Sequence, residues 1–173
     1  MPNGGADRPI VGATLVRRRR LAWVVVVTVV ALDQLTKIWA VSALDDGPVS
    51  VFGTTVELRL GFNTGAAFSL FGDYGVVLAI LAVVMVAVLV RIVRRTDDVW
   101  MIVALALVLG GALGNLADRV LRSPGFLRGA VVDFVHVDPI PTFIVADAAV
   151  TVGAVTLVLA GVFGGRRSGE PAP

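Results

Sequence analysis

The chain has 173 residues, of which 57% are hydrophobic and 16% charged, with a mean hydropathy of +0.88 and a formal net charge of +2. Against roughly 45–50% apolar and 25% charged residues in an average soluble protein, this excludes a disordered chain, a coiled coil and an ordinary soluble enzyme, and points to one integral membrane domain over residues 1–173. The absence of cysteine and the single histidine, His136, exclude disulfides, thiolate ligands, a cysteine nucleophile and a multi-histidine metal site.

In chain order, residues 1–16 read as a disordered polar tail, followed by Arg17, Arg18, Arg19 and Arg20. A first span is expected over about residues 21–41. It carries Asp33 and Lys37, its apolar part is long, and no small-residue cleavage site follows, so it does not read as a removed signal peptide. Residues 42–74 form a long loop in which Val49 and Val51, then Val56, Leu58 and Leu60, alternate on either side of Gly53. That pattern predicts a small β-hairpin or sheet at the membrane surface. A second span is expected over about 75–90, then a short loop with Arg91, Arg94 and Arg95, then a third span over about 99–116. A second long loop, 117–141, contains Pro124, Gly125, Pro139 and Pro141, and a fourth span covers about 142–163 before a second disordered tail, 166–173. The spans are rich in valine, which favours strand in water. In lipid, helix prevails because it satisfies every backbone group locally. The expected fold is therefore an all-α bundle of four transmembrane helices with a small β-element.

Charge sets an orientation. Residues 1–20, 91–98 and 166–173 together hold ten basic and four acidic residues, whereas the rest of the chain holds five basic and nine acidic. Basic loops stay in the cytoplasm, so both termini are expected inside and the two long loops outside. The same distribution argues against nucleic acid as a partner despite the pI near 9.9.

Ionisable groups in or beside spans are functional candidates, because lipid penalises them. Asp33 and Lys37 lie at i and i+4 on one helix face, which fits a local ion pair as well as a site. Asn63 precedes Thr64-Gly65, a pattern shared with ordinary turns. Asn115, Asp118 and Arg119 fall on one turn at the end of the third span, after small residues that allow close helix packing. Asp133 and Asp147 each have apolar sequence neighbours. Two such carboxyls brought together tend to share a proton, so that one acts on a water while the other polarises a carbonyl. The alternative leaves Asp133 in a loop, with Asp147 capping the fourth span or pairing with Arg119. Asp138, before Pro139, reads as a turn residue. No serine lies in a nucleophile motif, and no phosphate-binding P-loop is present.

These residues together resemble the lipoprotein signal peptidase (signal peptidase II) family of bacterial membrane aspartic proteases. The resemblance rests on Asp33-Gln34-Leu35-Thr36-Lys37, on Asn63 through Phe68, on Gly110 through Arg119, on Val131-Val132-Asp133-Phe134 and on Phe143 through Asp147, five blocks in order among four spans. It implies an endopeptidase that removes the signal peptide from diacylglyceryl-modified prolipoproteins, cutting before the lipobox cysteine. It implies Asp133 and Asp147 as the catalytic pair, Asn63 and Arg119 as substrate-binding residues, and Asp33, Lys37, Asn115 and Asp118 as supporting residues. It implies no metal and no organic cofactor, membrane lipids and lipidated precursors as the partners, a monomer, and a place in the bacterial cytoplasmic membrane with the site at the outer face. It also implies a short loop helix over the site. Phe68 and Phe71 become candidate contacts for lipid or signal peptide, or interface anchors. One departure stands out: the family's last motif usually has Asn where this chain has Ile144. Restoring that Asn is expected to raise activity or leave it unchanged.

Two rivals predict other patterns. A proton-coupled carrier needs acids along a path through the bilayer, whereas here they gather at one face. A non-catalytic assembly subunit would tolerate loss of Asp133 and Asp147.

Overall fold

The computed structural model describes residues 8–53, 55–64, 74–138 and 140–164. Its elements follow the order α1 (Arg8–Ala43), β1 (Val49–Phe52), β2 (Val56–Asn63), α2 (Tyr74–Val93), α3 (Val99–Leu121), β3 (Val131–Val137), β4 (Ile140–Phe143) and α4 (Val145–Gly164). All four helices contain a stretch long and apolar enough to cross a membrane. Large apolar side chains such as Val27, Leu35, Val84 and Val158 point outward, as a lipid solvent requires.

α3 is the central helix. It packs against α1, α2 and α4, and Ala22 and Val26 of α1, Leu89 of α2 and Leu105 and Leu109 of α3 share one buried cluster. Its glycines explain the close approach. A methyl group on Gly110 would lie 2.7 Å from the Val29 Cβ, and one on Gly114 would lie 2.5 Å from an Asp33 carboxylate oxygen, both on α1. A methyl on Gly111 would meet the Ala146 carbonyl of α4 at 2.5 Å. α3 begins where Asp98 accepts a hydrogen bond from the Met101 N–H at 2.8 Å, a side-chain N-cap.

The four strands form one antiparallel sheet in the order β1-β2-β3-β4, at the end of the bundle away from Arg17–Arg20. The β1–β2 hairpin turns at Gly53, whose φ of 57° lies in the left-handed region. Three boundaries differ from the sequence reading. α1 begins at Arg8, so residues 8–16 of the expected tail are helical. α3 runs on to Leu121, which puts Asp118 and Arg119 inside the helix. The fourth span starts at Val145, because 140–143 pairs as a strand with β3. The expected loop helix, Phe68 and Phe71 lie outside the described residues.

Candidate active site

Sheet and bundle meet around Asp133 and Asp147. Asp133 is the third residue of β3, paired with Gly61 of β2. Two residues on, Val135 pairs with Phe143 of β4, and β4 passes through Ile144 directly into α4. The β3–β4 hairpin thus returns the chain beside Asp133 just as α4 begins, with Asp147 in its first turn.

Asp133 is 9% exposed. Burial pushes its carboxyl up to about 6; the charges of Asp147 and Asp118 push the same way, against a hydrogen bond with Asn63 and the charge of Lys37. The charge of Asp147 therefore reaches Asp133. Asn63, the last residue of β2, is itself exposed. Asp147 accepts from Asn115 Nδ2 at 3.5 Å and from the backbone N–H of Ile144. Ile144 is the N-cap residue of α4, since its carbonyl accepts from the Ala148 N–H. Asp147 thus makes half of a capping box, reaching back from the third helical position. Arg119 is largely buried within reach of the Asp133 and Asp118 charges. Its Nη1 is buried and has no hydrogen-bond partner among the described residues.

Beneath this pair lies a buried ionic network. Lys37 Nζ contacts Asp33 Oδ2 at 2.8 Å and Asp118 Oδ2 at 2.7 Å, and donates to Asn115 Oδ1 at 3.2 Å; Lys37, Asp33 and Asp118 are fully buried. The same two acids also hold backbone, Asp33 through its other oxygen and Asp118 through the oxygen that meets Lys37. Asp33 Oδ1 accepts from the Ala146 N–H at 3.0 Å, and Asp118 Oδ2 accepts from the Val132 N–H at 3.2 Å. Ala146 and Val132 each immediately precede one of the two aspartates, Asp147 and Asp133. One lysine therefore ties together the anchors of both.

The sequence candidates Asp33, Lys37, Asn63, Asn115, Asp118, Arg119, Asp133 and Asp147 are all brought to this one end of the bundle. Asp138 lies apart, in the turn after β3, where its N–H donates to the Thr55 carbonyl. Two contributors escaped the sequence reading. Gln34 Nε2 lies within 3.2 Å of Asp33, the Gly114 carbonyl and Asp118. Arg122 Nε contacts Asp118 at 2.7 Å. The i, i+4 spacing of Asp118 and Arg122 on one helix was the available signal for the second. Ile144 is 1% exposed and packs with Ala40, Leu44, Val131, Phe134 and Ala146. Because an isoleucine cannot accept the orphan N–H groups of α4, Asp33 takes one of them from across the bundle. Among the described residues, no group of three or more potential metal ligands occurs.

Comparison with known proteins gives a consistent result. The family model for Signal peptidase (SPase) II matches residues 25–163. A lipoprotein signal peptidase of Mycobacterium avium is 47% identical over 149 residues, covering 86% of this chain and 82% of that protein. One of Mycobacterium tuberculosis is 45% identical over 162 residues, covering 93% and 80%. A solved structure described as a bacterial membrane enzyme superposes with a TM-score of 0.75 at 26% identity, covering 88% of this chain and 94% of that one. With the family model spanning most of the sequence, the chain belongs to the signal peptidase II family of membrane peptidases.

Proposed function

We propose that this chain is an aspartic endopeptidase that removes signal peptides from diacylglyceryl-modified prolipoproteins by hydrolysing the bond before the lipobox cysteine. What supports this reading is that the charge of Asp147 reaches Asp133, and that the residues just before them, Ala146 and Val132, donate their backbone N–H groups to the two acids bound by Lys37.

The reaction needs one ionised and one protonated carboxyl. The ionised carboxyl takes a proton from water, and the water oxygen attacks the scissile carbonyl carbon. The protonated carboxyl donates a hydrogen bond to the carbonyl oxygen as charge develops there. When the tetrahedral intermediate collapses, the C–N bond breaks and the departing nitrogen receives a proton from the pair. The products are a carboxylate on the signal peptide and a free amine on the cysteine. Asn63 and the unpaired Nη1 of Arg119 hold the substrate main chain across the pair. Asp33, Lys37, Asn115 and Asp118 support the site without touching the substrate.

An open cleft of ≈ 600 Å³, lined by Val41, Phe62, Thr64, Leu121, Pro124 and Ala130 among others, lies at the same end and gives room for a lipidated residue. The arginine distribution supports an orientation with both termini in the cytoplasm of a bacterium and this site at the outer face, within one membrane domain that acts as a monomer. The test is cleavage by the purified protein in lipid nanodiscs. A precursor carrying diacylglyceryl on its lipobox cysteine is cut before that cysteine, and the same precursor without the lipid is cut far more slowly. Equal cleavage of both would leave a membrane peptidase without the proposed lipid specificity.

A further inference from the structure

The opposite end of the bundle contains a cavity that the catalytic reading does not use. Above the core that α1, α2 and α3 share, a wedge stays open between the ends of α1 and α2. It encloses ≈ 440 Å³, within the usual range of ligand-sized pockets. α1 contributes Arg19, Ala22, Trp23 and Val26, at the i, i+3, i+4 and i+7 positions of one face. The α2 side supplies Val90, Val93 and Arg94, and α3 forms the back wall with Ala106 and Leu109.

The lining divides by depth. The inner wall is aliphatic, while Arg19 and Arg94 stand at the basic end. Both are exposed, and among the described residues neither has a carboxylate within ion-pair distance. Asp97 lines an adjoining recess with Arg18, Arg19, Arg94 and Thr96, but forms no ion pair with them. Two like charges bordering one opening repel, and an anion between them removes that repulsion. Trp23 is 52% exposed beside them, an amphipathic ring of the kind that settles at the headgroup level.

We propose that this wedge is a binding site for an anionic phospholipid, with its phosphate between Arg19 and Arg94 and an acyl chain against Trp23, Val90 and Val93. The chemistry selects this occupant. A soluble anion would leave the exposed Trp23 and the half-buried Val90 and Val93 uncovered, and a zwitterionic lipid would bring its own cation to the two arginines. On the orientation proposed above, the lipid belongs to the cytoplasmic leaflet, where anionic headgroups meet basic pockets between helices. By filling the gap between α1 and α2, it fastens α2 to the bundle.

The test uses the full-length protein in detergent with equal amounts of phosphatidylglycerol and phosphatidylcholine, and native mass spectrometry to count retained lipid. The wild-type protein retains phosphatidylglycerol preferentially, and the Arg19→Gln/Arg94→Gln variant loses that preference, at roughly fivefold for each arginine removed. The Arg20→Gln/Arg95→Gln variant, with the same change in net charge outside the cavity, keeps it. Thermal melting supplies a second readout: phosphatidylglycerol raises the wild-type midpoint more than that of Arg19→Gln/Arg94→Gln, and inorganic phosphate at equal concentration does not raise it. Equal loss in both variants would show diffuse surface charge rather than a site. Equal retention of the two lipids by the wild-type protein would overturn the proposal, as would a shift with inorganic phosphate as large as with lipid.

Discussion

At the scale of single residues, Asp133 is under tension between chemistry and stability. Its carboxyl is pushed up to about 6 by burial and the neighbouring acids, against an ordinary value of 3.8. Below pH 4 it is protonated in both the folded and unfolded chain, so it contributes no difference. Between about pH 4 and 6 the folded state keeps a proton that the unfolded chain has lost, so stability falls as pH rises, by up to roughly 3 kcal/mol in all. Above that window the loss is constant. Asp133→Asn removes the charge and is predicted to melt at higher temperature than the wild-type protein at pH 8, the gap closing toward pH 4. A gap that widened toward acid would mean that Asp133 ionises more readily in the fold than outside it. Ile144 makes the opposite kind of statement. A side-chain N-cap contributes about 1 kcal/mol, whereas emptying a buried isoleucine site costs about 2–5 kcal/mol and burying an unpaired amide about 1–3 kcal/mol. Ile144→Asn is therefore predicted to lower the melting temperature, a separate quantity from the activity that the sequence resemblance expects to rise or stay unchanged. Asp33 already occupies the acceptor role at the start of α4. A melting temperature at or above wild type would show that the cluster around Ile144 accommodates the amide.

At the scale of elements, Lys37 joins α1 to α3 directly and, through Asp33 and Asp118, to α4 and β3. Removing one partner of a buried ionic network leaves uncompensated charge, at a cost of about 3–5 kcal/mol. Lys37→Met is predicted to lose stability of that order and, in the fraction that stays folded, to cleave more slowly because both anchors slacken. Wild-type stability in Lys37→Met, followed by denaturant unfolding, would remove the network from the account. The sequence made some of this architecture legible and hid the rest. Alternation around Gly53 revealed β1 and β2, although β1 is exposed at all four positions and β2 is half-buried over most of its length. β3 was hidden because Val131 through Phe134 are all buried, which erases the period of two, and because Pro139 and Pro141 read as loop. The site residues were legible one by one as ionisable groups in apolar surroundings. What the sequence could not supply was their joining: Lys37 and Asp118 are far apart in the chain, and only the close approach allowed by Gly110 and Gly114 brings them together.

At the scale of the whole molecule, the two ends of the bundle differ in kind. One end carries the arginines and the open wedge; the other carries the sheet, the buried network and the two aspartates. The four helices are each long and apolar enough to cross a bilayer, and on the proposed function the end that carries Asp133 and Asp147 is the one that meets the peptide bond. The central claim is that these two aspartates perform the hydrolysis together. It is tested most directly by the single-turnover cleavage rate of a diacylglyceryl-modified precursor by Asp133→Asn and Asp147→Asn, each purified in lipid and verified as folded by thermal melting. The account predicts a folded protein and at least a thousandfold loss of rate in each, as expected when either half of an acid–base pair is removed. Cleavage within a few-fold of wild type by either folded variant would contradict it.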